Sequence, residues 1–134
     1  MTDEFYPDHL LPVISARQVD YGRFAEIRES VLLNHGYNTA RAYWGDLDDV
    51  YWWAHAREKD VLELSAKDVR QYVALLRRRK YSGSTIRRRV TALRKFYDEL
   101  VARGMNESNP AAAVVIRRAR APRTPKQELG DGFT

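Results

Sequence analysis

The chain has 134 residues, enough for one domain with tails to bury a core without covalent staples. Its 44% hydrophobic and 31% charged content excludes a disordered chain, its lack of cysteine excludes disulfides and thiolate metal sites, and no stretch reaches the roughly 18 apolar residues of a membrane span. The net charge of +5 is unevenly placed: residues 1–68 carry seven Lys/Arg against thirteen Asp/Glu, whereas residues 69–97 carry ten Lys/Arg and no acid. A block of that kind points to a polyanionic partner more than to a solvated helix face.

Residues 1–18 start acidic, contain Pro7 and Pro12, and have neither a sustained period nor a signal-peptide pattern. They are expected to form a flexible arm, and the protein is expected to be cytoplasmic. From about Asp20 to Asn34, Phe24, Ile27 and Val31 fall at helical spacing, and His35-Gly36 is expected to end that helix with Gly in the left-handed position. The second helix is expected from Asn38 as N-cap, with Tyr43, Leu47, Val50 and Ala54 on one face and Arg41, Gly45, Asp48 and Trp52 opposite. Trp52 is expected to pack in the core, the alternatives being to cover the first helix or to meet a partner.

Ser65 followed by Asp68 predicts a capping box opening a third helix whose stripe is Val69, Tyr72, Val73 and Leu76. It ends in Arg77-Arg78-Arg79-Lys80, cations suited to a helix C-terminus. The fourth helix runs from about Ser84 to Arg103, with Gly104 as its stop. Ile86, Val90, Leu93, Tyr97 and Leu100 form its apolar stripe, and Ser84, Arg88, Thr91 and Lys95 the opposite face. Asn109 as cap and Pro110 at the first position predict a short fifth helix to about Arg120, followed by a basic, Pro-punctuated linker over 121–134. The fold class is therefore all-α, a compact bundle of four to five helices over residues 19–120.

The residues offer no catalytic constellation. His9, His35 and His55 have no zinc spacing, and neither a phosphate loop nor a nucleophile elbow is present. Asp46, Asp48 and Asp49 are expected to be a solvated cluster paired with Lys or Arg rather than a metal site, and no cofactor is expected. Tyr43, Tyr72 and Tyr97 sit on apolar stripes and are core candidates.

Four segments in order carry a resemblance: Asn38-Thr39-Ala40-Arg41-Ala42-Tyr43 with Asp46-Leu47; Leu64-Ser65 through Leu76; Ser82-Gly83-Ser84-Thr85-Ile86-Arg87-Arg88 through Phe96-Tyr97; and Asn109-Pro110-Ala111. Over about residues 20–126 the chain resembles the N-terminal core-binding (SAM-like) domain of tyrosine recombinases and phage integrases. The resemblance implies sequence-specific binding of double-stranded DNA, at half-sites of an inverted repeat, beside a C-terminal catalytic domain absent from this chain and neighbouring protomers of a DNA-bound tetramer. It implies a non-catalytic chain, prokaryotic or phage-encoded and nucleoid-associated, with its second and fourth helices toward the major groove. Thr39, Arg41 and Ala42 match positions that approach DNA. On the fourth helix, whose outward stripe is itself polar and basic, Ser84 and Arg88 are expected to read bases. Arg87, Arg89, Arg94 and Lys95 are expected to clamp phosphates, with Thr91 between them. Ser84 and Thr85 mark a helix N-terminus able to hold a phosphate. Arg79 and Lys80 are either phosphate contacts or only a well-terminated helix, and Arg118 and Arg120 extend the basic surface. Glu26 and Glu29 are expected to meet Arg117 or Arg118 of a neighbour. The alternative is a stand-alone helical regulator or protein-interaction module on the same fold.

Overall fold

The structure, a computed structural model, describes residues 11–116. Among the described residues it holds four α-helices and no strand, which is the expected all-α class: α1 (Leu11–Leu32), α2 (Tyr37–Ala56), α3 (Ala66–Arg78) and α4 (Gly83–Ala102), with a single 3-10 turn at Val61–Glu63.

Helix α1 begins at Leu11 rather than near Asp20, so the expected arm is corrected over residues 11–18. Pro12 is no obstacle, because N–H groups in a first turn have no acceptor within the helix. Residues 1–10 and the expected linker lie outside the described residues. Gly36 has φ −71°, so it is not the left-handed stop expected for α1; it is the N-cap of α2, and its carbonyl accepts from Ala40 N at 2.9 Å. Asn38 therefore sits inside α2 rather than capping it. The capping box of α3 is present as expected: Asp68 N donates to Ser65 Oγ at 3.1 Å and Ser65 N to Asp68 Oδ2 at 2.9 Å. Helix α4 is capped one step earlier than expected, by Ser82, whose Oγ accepts from Thr85 N at 3.1 Å.

Packing follows the periodicity. Helix α4 touches each of the other three helices, and α1 also packs on α2. The stripe residues Phe24, Ile27, Val31, Leu47, Val50, Val69, Tyr72, Leu76, Val90, Leu93, Tyr97 and Leu100 are all buried, with Phe24, Tyr51 and Phe96 in ring contact at the centre. Burying side chains of this size contributes roughly 1.5–3 kcal/mol each, set against the entropy of ordering the chain. Val61, Leu62 and Leu64 fill the end of the bundle, and Tyr97 Oη donates to Val61 O at 2.6 Å. Tyr43, Tyr72 and Tyr97 are buried, as expected for core residues. Trp52 is not a core residue: it is 51% exposed and stacks on Tyr21 of α1.

The fifth helix is absent over the described residues. Pro110–Ala113 forms one turn, in which Asn109 Oδ1 accepts from Ala111 N at 2.8 Å and Ala112 N donates to Asn109 O at 3.1 Å. A longer helix would need Ala111 O to accept from the fourth residue on. That oxygen instead accepts from Val114 N at 3.2 Å and from Arg94 Nε at 3.2 Å, and Arg94 Nη2 also donates to Val114 O. Residues 117–134 lie outside the described residues.

Candidate nucleic-acid interface

The acids of α2 and the cations of α3 and α4 form one network. Asp46 is buried and accepts from Arg88 in side-on fashion, Nε to Oδ2 at 2.8 Å and Nη2 to Oδ1 at 2.7 Å. Arg89 reaches Asp49 Oδ2 at 2.9 Å and Tyr72 Oη at 3.2 Å, while its buried Nε lies 3.4 Å from Asp46 Oδ1, an ion pair without hydrogen-bond geometry. Tyr72 Oη donates to Asp49 Oδ2 at 2.5 Å, and Arg79 Nη1 pairs with the same oxygen at 3.3 Å. The acid cluster is thus paired with cations as expected, but Asp46 is not solvated. Among the described residues no group of three or more His, Asp or Glu is placed to hold a metal ion.

The electrostatics follow from this geometry. The hydrogen bonds from Arg88 to Asp46 raise the arginine's pKa further and hold its charge. Burial works against charge on Arg89, but its neighbours Tyr72, Asp46 and Asp49 more than offset that. Burial, and then the adjacent Asp49 carboxylate, push the Tyr72 phenol well above its ordinary value, so it stays a neutral donor. On the outer side of α2, Asp48 is neutralised by Arg28 at 3.1 Å. That guanidinium is buried, 4.4 Å from the Trp44 ring centroid and 5.1 Å from that of Phe24. Asp48, which shares a face of α2 with Arg41, therefore presents less uncompensated negative charge there.

These pairings sort the expected DNA-contact residues into two groups. Arg79, Arg88 and Arg89 are each bound to a carboxylate, so none is the free outward cation the sequence suggested. Arg94 has no carboxylate partner among the described residues, and its Nε and Nη2 donate to the carbonyls of Ala111 and Val114. Arg41, Lys80, Arg87 and Lys95 have no carboxylate within ion-pair range among the described residues. Arg41 and Lys80 are exposed, and Arg87 and Lys95 half-buried. Ser84 is exposed, with its Oγ 3.1 Å from Ser82 Oγ, and Thr91 is half-buried one turn beyond Arg88. Thr85 spends its N–H on the cap, which leaves Gly83 and Ser84 as the first-turn donors of α4.

On α2, Thr39, Ala42 and Asp46 fall at i, i+3 and i+7, so the Asp46–Arg88 pair sets that face beside the Ser84–Arg88–Thr91–Lys95 face of α4. Thr39 is exposed and Ala42 half-buried. Glu26 pairs with Arg103 of its own chain at 3.6 Å, and Arg117, Arg118 and Arg120 lie outside the described residues. Asp46 and Arg28 are the residues whose roles sequence reasoning missed. The signal for Asp46 was its place three residues after Tyr43 and four before Val50, on the apolar face, where an acid needs a partner cation.

A polar and basic face of α4, paired to the buried Asp46 and half-buried Asp49 of α2, marks a small all-helical module. Residues 31–104 match the family described as phage integrase, N-terminal SAM-like domain, and the chain belongs to that family. It is 36% identical over 93 residues to the tyrosine recombinase XerC of Xanthomonas campestris pv. campestris, covering 69% of this chain and 28% of the relative. It is 34% identical over 73 residues to the tyrosine recombinase XerD of Rhizobium meliloti, covering 54% of this chain and 24% of that one. With XerC of Roseiflexus castenholzii it shares 32% identity over 78 residues, 58% of this chain and 25% of the relative. The chain thus spans roughly a quarter of the length of these relatives. No solved structure gives a significant match.

Proposed function

We propose that this chain is the duplex-positioning part of a tyrosine site-specific recombinase, a cytoplasmic protein that binds the major groove with α4 and the first turn of α2. The observation that carries it is the set of cations without a carboxylate partner, Arg87 and Lys95 on α4, Arg41 on α2 and Lys80 just past the end of α3. An α-helix fits the major groove of B-DNA, and cations at its flanks meet the phosphates on either side. Transesterification would belong to a C-terminal catalytic domain, and the chain itself would act at half-sites of an inverted repeat within a tetramer.

Titration of a labelled duplex at 50–300 mM salt tests this. Four phosphate contacts give a slope of log K against log salt of about −3.6, steeper if Arg118 and Arg120 also engage. Replacing Arg87 or Lys95 by Ala is expected to reduce that slope by about one each, on every duplex alike. A binding constant indifferent to salt would exclude the proposal. A second reading, a helical protein-interaction module, is favoured by the exposure of Tyr37, Trp44 and Trp52 along the outer side of α2. It predicts no retention of duplex at the lowest salt.

A further inference from the structure

The Arg88–Asp46 pair divides its two members between the interior and the surface: the Asp46 side chain is 2% exposed and that of Arg88 is 42% exposed. A guanidinium has five N–H donors in a rigid plane. Asp46 takes one from Nε and one from Nη2, the side-on edge. The end-on edge, with one donor on Nη1 and one on Nη2, is left. It belongs to the same α4 face as Ser84 and Thr91.

Two physical consequences follow. A bidentate pair fixes a side chain that otherwise has several rotatable bonds, so the cost of ordering it is met before any ligand arrives. The buried carboxylate, which Arg89 Nε also approaches at 3.4 Å, offsets much of the guanidinium charge locally. A compensated guanidinium draws a phosphate weakly but keeps both parallel donors of its free edge. Two parallel donors match the O6 and N7 acceptors of guanine in the major groove.

Resting on the proposed duplex binding, we infer that Asp46 is a positioning residue that converts Arg88 from a phosphate clamp into a reader of a G·C base pair. The neighbouring cations differ in kind: Arg87 and Lys95 have no carboxylate partner and supply the salt-dependent grip. Affinity and base preference are therefore carried by different side chains of one helix.

The test uses the full chain in two measurements, selection from a randomised duplex pool and the salt slope on a fixed duplex. Wild type is expected to enrich sequences with an invariant G·C pair. Arg88→Lys keeps the charge on Asp46 but lacks the fork, and is expected to lose that preference while changing the salt slope by less than about 0.3. Asp46→Asn weakens the fork and frees the charge. It is expected to lose the preference, to bind unselected duplex several-fold more tightly, and to steepen the slope by about one. A merely structural role for Asp46 would lower affinity for all duplexes together and leave the slope alone. The inference is overturned if wild type enriches no base pair, if Arg88→Lys keeps the preference, or if Asp46→Asn loses affinity on every duplex. Should Asp46→Asn show no cooperative melt, Arg88→Lys decides by itself. Failure of the proposed function looks different: wild type then retains no duplex at any salt.

Discussion

Glu58, Lys80 and Gly104 have φ of 59°, 64° and 74°, each one residue beyond a helix C-cap. At each of them the following N–H reaches back over the last turn, Lys59 to Ala54 at 2.9 Å, Tyr81 to Leu76 at 3.3 Å and Met105 to Leu100 at 2.9 Å, the six-to-one bond of a Schellman motif. A non-glycine residue in the left-handed region costs about 1–2 kcal/mol, part of which glycine returns as entropy in the unfolded chain. Glu58→Gly is therefore expected to raise stability by about 0.5–1 kcal/mol, read as a higher urea midpoint at unchanged m-value; a lower midpoint would mean that the Glu58 side chain has a role in the fold. The end of α4 was legible because Gly104 announces it. The left-handed Glu58 and Lys80 were not, since a charged residue in that conformation has no compositional mark. Arg88 shows the same limit: its helical angle was legible, but its partner lies 42 positions away on another helix.

Among the elements, α4 has two occupied sides and one open side. Its apolar stripe meets the other helices, and Arg94 and Asn109 attach the segment that follows it: Asn109 Nδ2 donates to Arg94 O at 2.9 Å and to Asp98 Oδ1 at 2.8 Å. Sequence pattern placed every stripe of the bundle, because apolar period is a local property of a helix. It could not show that Arg94 leaves the solvent face to satisfy carbonyl oxygens, and the expected fifth helix failed for that reason. Arg94→Ala is expected to speed amide exchange over residues 111–116 by tenfold or more, with the core of α4 still protected. Its salt slope on duplex DNA should match wild type, in contrast to Arg87→Ala. Unchanged exchange at Ala111 and Val114 would show that the latch is not needed.

For the molecule as a whole, charge is layered rather than divided between two halves. The acids of α2 lie under the cations of α3 and α4, so three of the ten cations in residues 69–97 are paired internally and share the two carboxylates Asp46 and Asp49. Linear charge counts could not reveal that, because the partners lie in different helices. A pH dependence follows from the other end of the bundle, where Asp68 accepts from Ser65 N and pairs with Lys59 at 3.0 Å. The backbone hydrogen bond from Ser65, with help from Lys59, holds the Asp68 carboxyl below its ordinary value despite its burial. A lowered folded value means that this stabilisation is complete above the unfolded value and disappears as pH falls through the folded one. Thermal midpoints should fall below about pH 4, and Asp68→Asn should be less stable at neutral pH with a shallower acid limb; parallel curves for the two proteins would assign acid sensitivity elsewhere. The latch at Arg94 has a mechanical meaning at this scale. The turn at Pro110–Ala113 is fastened through Arg94 and Asn109 to the same helix whose open side carries Ser84, Arg88 and Thr91, so α4 and that turn are mechanically coupled. If α4 is seated in a groove as proposed, a tilt imposed on it would pass through these bonds to Val114.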